Sequence, residues 1–372
     1  MFRSGATGAR HLQALAGEPR PAGSEQAARG RAYCAAELAA LGFDVQERGF
    51  EYSALPGRFG TPLGGLAALL VVVGAGCMLG ESRPGVALAI LLVGVVAVGA
   101  GGLWLGRRGI LSLPVLRRRG VNLEAVRAGQ PPALWLVAHI DSKSQPISLL
   151  GRAVGVIVLA ASWIAAALIA SGQLWRGAAD GGAWPWIAIA AVIGALPVIA
   201  STVGEASDGA VDNASGVATV LSAVAVLSAD TPVGVLITDA EEMGLAGARA
   251  WCNQRPAGTV LNCDGVDDDG PLTLMYTRPR PRRLEAALRR AANEARVPVR
   301  AIPLIPGVLV DGVAFSDAGW EVITLSRGTF HTLRRVHRPG DDLSAMRGDG
   351  IVSAAQVLAR AAADLAARNS SN

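Results

Sequence analysis

VGVLITDAEEMGLAG, residues 233–247, changes character halfway along. Val233 to Thr238 is an unbroken apolar run rich in β-branched side chains, the pattern of a short strand buried on both faces. Polar residues follow at once, so Asp239, Glu241 and Glu242 stand where such a strand emerges from its sheet. Two adjacent carboxylates there raise each other's pKa unless a cation is close. One carboxylate on a metal, with its neighbour free to take a proton from water, resolves that conflict. The plain alternative is an acidic first helical turn interacting with the helix dipole.

The same alternation extends in both directions. LWLVAHID (134–141), TVLNCD (259–264) and EVITLS (321–326) are short apolar runs ending in polar residues. Helical spacing marks residues 24–41, where Ser24 is placed to cap, and strand-like FDVQERGFEYS follows Gly42. Further helices are expected over 213–227, 282–295 and 350–367, and a turn into helix over 241–251. Strands alternating with helices predict an α/β three-layer sandwich with a mixed, mainly parallel sheet and helices on both faces. Ligands of such sheets sit outside the carboxyl ends of the strands.

Chemistry-bearing residues cluster at those ends. Of four histidines, His139 opens His139-Ile140-Asp141, where the imidazole can bind a metal while the carboxylate fixes the ring or a neighbouring ligand. Asp212, in GAVDNASG, precedes a small-residue helix start. Its two oxygens can bridge two cations, although Asp212 or Asn213 can equally be a helix N-cap. Asp264 ends its strand with another hard oxygen ligand, and Asp267, Asp268 and Asp269 read as a solvated loop. His337, in HRPGDD, lies in a loop after the last strand with Asp341 available to orient it, and is preferred to His331 for the Pro and Asp that follow. Imidazole and carboxylate donors without thiolates suit zinc, with cobalt or manganese as alternatives. Five ligands exceed what one tetrahedral zinc with an open position needs, and suffice for two cations sharing a carboxylate.

Hydrophobic residues make up 51% of the 372 and charged ones 17%, with mean hydropathy +0.38. That is too apolar for a wholly soluble chain and too charged for a pure membrane bundle. Residues 63–80 and 85–106 are uncharged and separated by Glu81, Ser82, Arg83 and Pro84. Residues 153–170 and 183–200 repeat the arrangement around a short loop from Ser171 to Gly182. Each run approaches the ~20 residues that cross a bilayer, and Trp104, Trp175, Trp184 and Trp186 sit at segment ends, suited to the headgroup region. Two transmembrane hairpins are therefore expected, with no ionisable side chain to make an ion or solute path. Arg58, Arg107, Arg108, Arg117, Arg118, Arg119, Lys143 and Arg152 flank the side of the polar segments, against Arg83 and Arg176 at the hairpin tips. The positive-inside rule places the polar side in the cytoplasm of a multi-pass cell-membrane protein. No cleavable secretory signal is expected in residues 1–21. The net charge of +4, carried almost entirely by Arg, is scattered without nucleic-acid motifs, so no nucleic-acid partner is expected. Cys34, Cys77, Cys252 and Cys263 show no CxxC pairing, hence neither a disulfide framework nor a thiolate zinc site.

In order, AHID, GAVDNASG, EEMGLAG, NCD and HRPGD resemble the M28 family of zinc metallopeptidases, which includes aminopeptidases, glutamate carboxypeptidases and glutaminyl cyclases. The resemblance runs through the polar part of the chain from about residue 10 to 365. It implies a zinc-exopeptidase fold, peptide or aminoacyl substrates and two Zn2+ per chain, one held by His139 and Asp264, the other by Glu242 and His337. Asp212 would bridge them, Glu241 would be the general base and Asp141 would stand behind the ligands. The hydrophobic hairpins interrupt that domain, giving peptidase segments 1–62, 107–148 and 204–372 around hairpins 63–106 and 149–203. An aminopeptidase is the expected activity, with a zinc amidase or glutaminyl cyclase as the alternative, and a non-catalytic membrane scaffold as the reading from another class. Many family members carry Tyr just before the last ligand histidine, where Val336 stands here. Tyr276, Arg278 and Arg327 are the candidates for that oxyanion-stabilising role.

Overall fold

The computed structural model describes residues 4–127, 131–177, 182–305 and 307–369. The chain divides into two compact units, Met1–Ser53 with Leu116–Ser144 and Glu205–Asn372, and Ala54–Val115 with Gln145–Gly204.

The first unit is built on eight strands: β1 (Phe43–Ser53), β2 (Arg117–Arg127), β3 (Leu134–His139), β4 (Val233–Thr238), β5 (Thr259–Val266), β6 (Leu272–Tyr276), β7 (Val299–Pro303) and β8 (Glu321–Arg327). Their order in the sheet is β1-β2-β4-β3-β5-β8-β6-β7. β3 is parallel to β4 and β5, and β5 to β8, while β2 runs antiparallel to both of its neighbours, β1 and β4. The mixed sheet with a parallel centre is the one the sequence predicts. Apolar side chains alternate between two layers. Leu134, Leu136 and Ala138 pack with Leu38, Val217, Leu221, Leu288 and Leu358 on one face. Trp135 and Val137 pack with Leu236, Trp251, Phe315 and Trp320 on the other. Covering both faces is what makes the central strands read as continuous apolar runs. β1 lies at an edge with most of its residues exposed, and its Asp44, Glu47, Arg48 and Glu51 protect that edge from pairing.

Register decides where the polar ends lie. Leu134 to His139 pair one for one with Val233 to Thr238, so the two strands end level and Ile140–Asp141 and Asp239–Glu242 emerge side by side. Val137 pairs with Asn262, which brings Asp264 to the same level.

Two local readings change. The helix expected from residue 213 begins at Gly216. Asp212 and Asn213 take non-helical angles because the Asn213 amide donates to the Cys263 carbonyl at 3.0 Å and its Oδ1 accepts from Gly216 N at 3.0 Å. Asp267 and Asp268 are buried, not solvated. Asp267 takes the Thr332 hydroxyl at 2.6 Å and Arg335 at 3.2 Å, and Asp268 accepts amides of Arg347, Gly348 and Gly350 at the start of helix Asp349–Asn369. β6 and β7, five residues apiece beside a Pro- and Arg-rich turn, show no clean period in the sequence.

The second unit contains helices Leu55–Gly80, Pro84–Trp104, Leu149–Arg176 and Trp184–Ile199. They pack through small residues. A Cβ on Gly76 would lie 1.4 Å from the Trp184 ring, and one on Gly194 would lie 2.7 Å from the Leu159 nitrogen. Trp184 thus packs inside the bundle, whereas Trp104, Trp175 and Trp186 are exposed. Leu92, Val93, Val96, Ile157 and Leu168 face outward. Among the described residues, Leu55–Gly80, Pro84–Ser112, Leu149–Arg176 and Asp349–Arg368 are long and apolar enough to cross a membrane, which suggests a membrane protein. Asp349–Arg368 has 61% of its apolar window buried, carries Arg360 and Asp364, and packs on the sheet of the first unit, as a core helix does. Trp184–Ile199 has 16 residues, about 24 Å of helix. Residues 178–181, part of the loop expected between the second pair, lie outside the described residues.

Candidate metal centre

Five side chains that are far apart in sequence converge beyond the carboxyl ends of β3, β4 and β5. His139 Nε2 is 3.1 Å from Asp212 Oδ1 and 3.7 Å from Asp264 Oδ1. His337 Nε2 is 2.9 Å from Asp212 Oδ2 and 3.3 Å from Glu242 Oε1. Two groups result, His139 with Asp212 and Asp264, and Asp212 with Glu242 and His337, each with ligand atoms within 4.8 Å of one another. Asp212 belongs to both, one oxygen toward each histidine. Beside it, Asn213 Oδ1 accepts the Gly216 amide at the start of the following helix. His331 lies exposed on the short helix Phe330–Arg335, outside both groups.

Backbone contacts hold the donors in place. The His139 ring Nδ1 meets the Asp141 carbonyl at 3.0 Å, which fixes the tautomer and aims Nε2 inward. The Asp141 side chain, wholly buried, accepts Glu241 N–H at 3.0 Å and Glu242 N–H at 3.1 Å. It therefore positions the glutamate pair. Asp341 does not orient His337 as expected. Its carboxylate accepts the amides of Val211 at 2.8 Å and Asp212 at 3.1 Å, because the 337–341 turn packs under the Asp212 segment.

The donor set fits a divalent cation. His139 Nε2 and Glu242 Oε1 are buried and have no hydrogen-bond partner, a costly arrangement for polar atoms. Three carboxylates and two imidazoles, without thiolate, are zinc-type donors. Charge is distributed unevenly. Burial pushes the Glu241 carboxyl up, His139 opposes it, and the charges of Glu242 and Asp264 add to the rise, leaving it well above the usual carboxylate range. Burial also pushes on Asp212, but the His139 and His337 imidazoles beside its two oxygens outweigh it and hold it well below. His139 is disfavoured as a cation by burial, yet Glu241, Asp141, Asp212 and Asp264 raise its pKa well above the usual value. Metal binding must displace that proton.

Two residues were missed. Lys143, counted from sequence only as a membrane-flanking cation, has its ammonium 2.6 Å from Glu242 Oε2. Its place in His139-Ile-Asp-Ser-Lys143 was the available signal. Asp311 is fully buried, accepts the Thr238 hydroxyl and is pushed up to about 7 by burial against the pull of His139. Nothing around residue 311 marks it. Of the oxyanion candidates, Arg327 is directed elsewhere, to the Gly270 carbonyl at 2.9 Å and Ser353 at 2.7 Å.

Fold and cluster define a class, an α/β protein with an imidazole–carboxylate cluster that could hold metal at the carboxyl ends of its parallel strands. The sequence pattern of peptidase family M28 matches residues 122–362, and the chain belongs to that family. No curated protein sequence matches it. Among solved structures, an aminopeptidase from Aneurinibacillus sp. strain AM-1 superposes with a TM-score of 0.57 at 13% identity, over 96% of this chain and 93% of that one. The zinc aminopeptidase BSAP of Bacillus subtilis gives 0.55 at 14%, covering 96% and 94%. A glutaminyl cyclase of Fimbriiglobus ruber gives 0.55 at 14%, covering 97% and 95%. At these identities the likeness establishes the fold alone.

Proposed function

We propose that this peptidase is a membrane-anchored dinuclear zinc exopeptidase, an aminopeptidase, with its sheet-bearing unit in the cytoplasm. The observation that carries this reading is Asp212, whose two oxygens lie 3.1 Å and 2.9 Å from two different histidines. In it, His139 and Asp264 would hold one zinc, Glu242 and His337 would hold the other, and Asp212 would serve both. When bound, the zinc pair supplies Lewis acidity that polarises a scissile carbonyl and acidifies water. Glu241 binds neither ion. Its Oε2 lies 4.0 Å from His139 Nε2, and burial raises its pKa, which favours uptake of a proton. As water attacks the carbonyl carbon, Glu241 takes its proton. As the C–N bond breaks, Glu241 delivers that proton to the leaving amine. Asp141 keeps Glu241 and Glu242 in register through their amides.

Glu241→Gln keeps the side chain's shape and removes the proton acceptor. Zinc content and folding should persist while turnover falls by roughly a thousandfold or more. Undiminished hydrolysis by a variant with full zinc would remove Glu241 from the role. The equal likeness to a glutaminyl cyclase supports a second reading, so aminoacyl substrates are to be assayed beside peptides with N-terminal glutamine. Cyclisation without aminopeptidase turnover favours that alternative.

The outward apolar side chains of the second unit support lipid as its surroundings, and the arginines flanking its helices support the cytoplasmic orientation.

A further inference from the structure

Glu242 is gripped from two sides. Its Oε1 stands 3.3 Å from His337 Nε2 and is buried without a hydrogen-bond partner. Its Oε2 pairs with Lys143 Nζ at 2.6 Å, the two side chains being 15% and 3% exposed, so this is not a solvated surface pair of negligible worth. The segment carrying Lys143 is tied down on both sides. Ser142 N donates to the Arg20 carbonyl at 2.9 Å, Ser142 Oγ donates to the Ser207 carbonyl at 2.9 Å, and Ala206 N donates to Ser144 Oγ at 2.9 Å.

Lys143 is also the chain's only lysine among 34 Lys and Arg residues. The difference matters at a carboxylate that must bind something else. An arginine fork takes both oxygens of a carboxylate in parallel, whereas an ammonium is a compact point donor that covers one.

We propose that Lys143 makes Glu242 a one-oxygen ligand, occupying Oε2 so that Oε1 alone faces Asp212 and His337, and thereby tunes that site to a small cation of low coordination number. Lys143 acts through Glu242 and is a positioning residue. The inference rests on the reading of Asp212, Glu242 and His337 as metal ligands. With Oε2 covered, the site offers one oxygen from Asp212, one from Glu242 and one imidazole nitrogen. Three protein donors with one position left are what a catalytic zinc takes. A glutamate with both oxygens free favours larger, harder cations that accept bidentate carboxylates and more oxygens. The positive charge of Lys143 repels every divalent cation alike, so it lowers overall affinity without setting the preference among them. The preference is therefore the quantity to measure.

The test uses full-length protein in detergent, stripped with a chelator and titrated with Zn2+, Mn2+ and Co2+. In the wild type, the second equivalent of Co2+ should give the intense visible absorption of a low-coordinate site. In Lys143→Met, that absorption should weaken and the preference for zinc over manganese should fall about tenfold or more. Lys143→Arg should instead lose affinity for the second equivalent of any of the three metals, because both oxygens of Glu242 are taken. Weak, high-coordinate absorption in the wild type overturns the proposal without recourse to variants. So does Lys143→Met with wild-type absorption and preference. Glu242→Ala separates the two layers of inference. If it loses one equivalent of metal while Lys143→Met changes nothing, Lys143 alone loses its role. If it still binds two, the ligand assignment fails first.

Discussion

Replacing Asp141 with asparagine preserves the side chain's shape and removes one acceptor. Each oxygen of the buried Asp141 carboxylate accepts one amide, from Glu241 at 3.0 Å and Glu242 at 3.1 Å. Hydrogen bonds to a charged group contribute roughly 1.5–3 kcal/mol each. In Asp141→Asn an NH2 faces one of those amides, so one bond is lost, a buried N–H is stranded and the other bond drops to neutral strength. That costs about 3–4 kcal/mol. Part of it returns through Asp239, whose carboxyl is pushed up to about 7 by burial and then by the charge of Asp141. Removing that neighbour gives back about 1 kcal/mol. The net loss, about 2–3 kcal/mol, corresponds to a melting temperature roughly 5–10 °C lower for a unit of this size. Melting in detergent should show the drop both with chelator and with zinc, and zinc affinity should fall about 10- to 100-fold because Glu242 is no longer fixed. An unchanged midpoint together with unchanged zinc affinity would refute the reasoning.

His11 is buried against Tyr33, its Nδ1 2.7 Å from the phenol oxygen, and desolvation lowers its pKa to about 4 against a weaker upward pull from Glu37. The folded chain thus holds His11 neutral where the unfolded chain already takes a proton. Stability from this site is full above about pH 6.5 and is lost as pH falls toward 4, by roughly 2 kcal/mol after allowing for partial solvent access. His11→Gln should flatten that slope in denaturant titrations, and an unaltered slope would assign it to other groups. At Gly76 even one methyl group would overlap the Trp184 ring. Gly76→Ala should lower detergent stability by about 1–3 kcal/mol, with recovery in Gly76→Ala/Trp184→Ala. Wild-type melting of the single variant would contradict the packing of these two helices.

The parts of the chain readable from sequence are those where one physical pressure dominates. β3, β4, β5 and β8 announce themselves because burial on both faces demands unbroken apolar runs, and the hairpin helices because each is an uncharged run near the roughly 20 residues that can cross a bilayer. Asp212, Glu242, Asp264, His139 and His337 stand out since carboxylates and imidazoles at strand ends are costly without a reason. What sequence hides is which side chain partners which. Asp341 looks placed to serve His337, four residues away, yet it serves Val211 and Asp212, about 130 residues earlier. Lys143 looks like a membrane-flanking charge until the register of β3 against β4 brings it to Glu242. Asp267 and Asp268 look solvated because their partners, Thr332 and the 347–350 turn, arrive from far along the chain. Such pairings come from topology, which local pattern does not carry.

The central claim is that Asp212 joins two metal ions into one centre. Counting metal in protein purified in detergent and dialysed against trace zinc tests it most directly, for the wild type beside Asp212→Ala. Two zinc ions per wild-type chain and a loss of affinity for both ions in the variant are expected. A wild type that holds no zinc, or an Asp212→Ala variant that still holds two as tightly, would contradict the account.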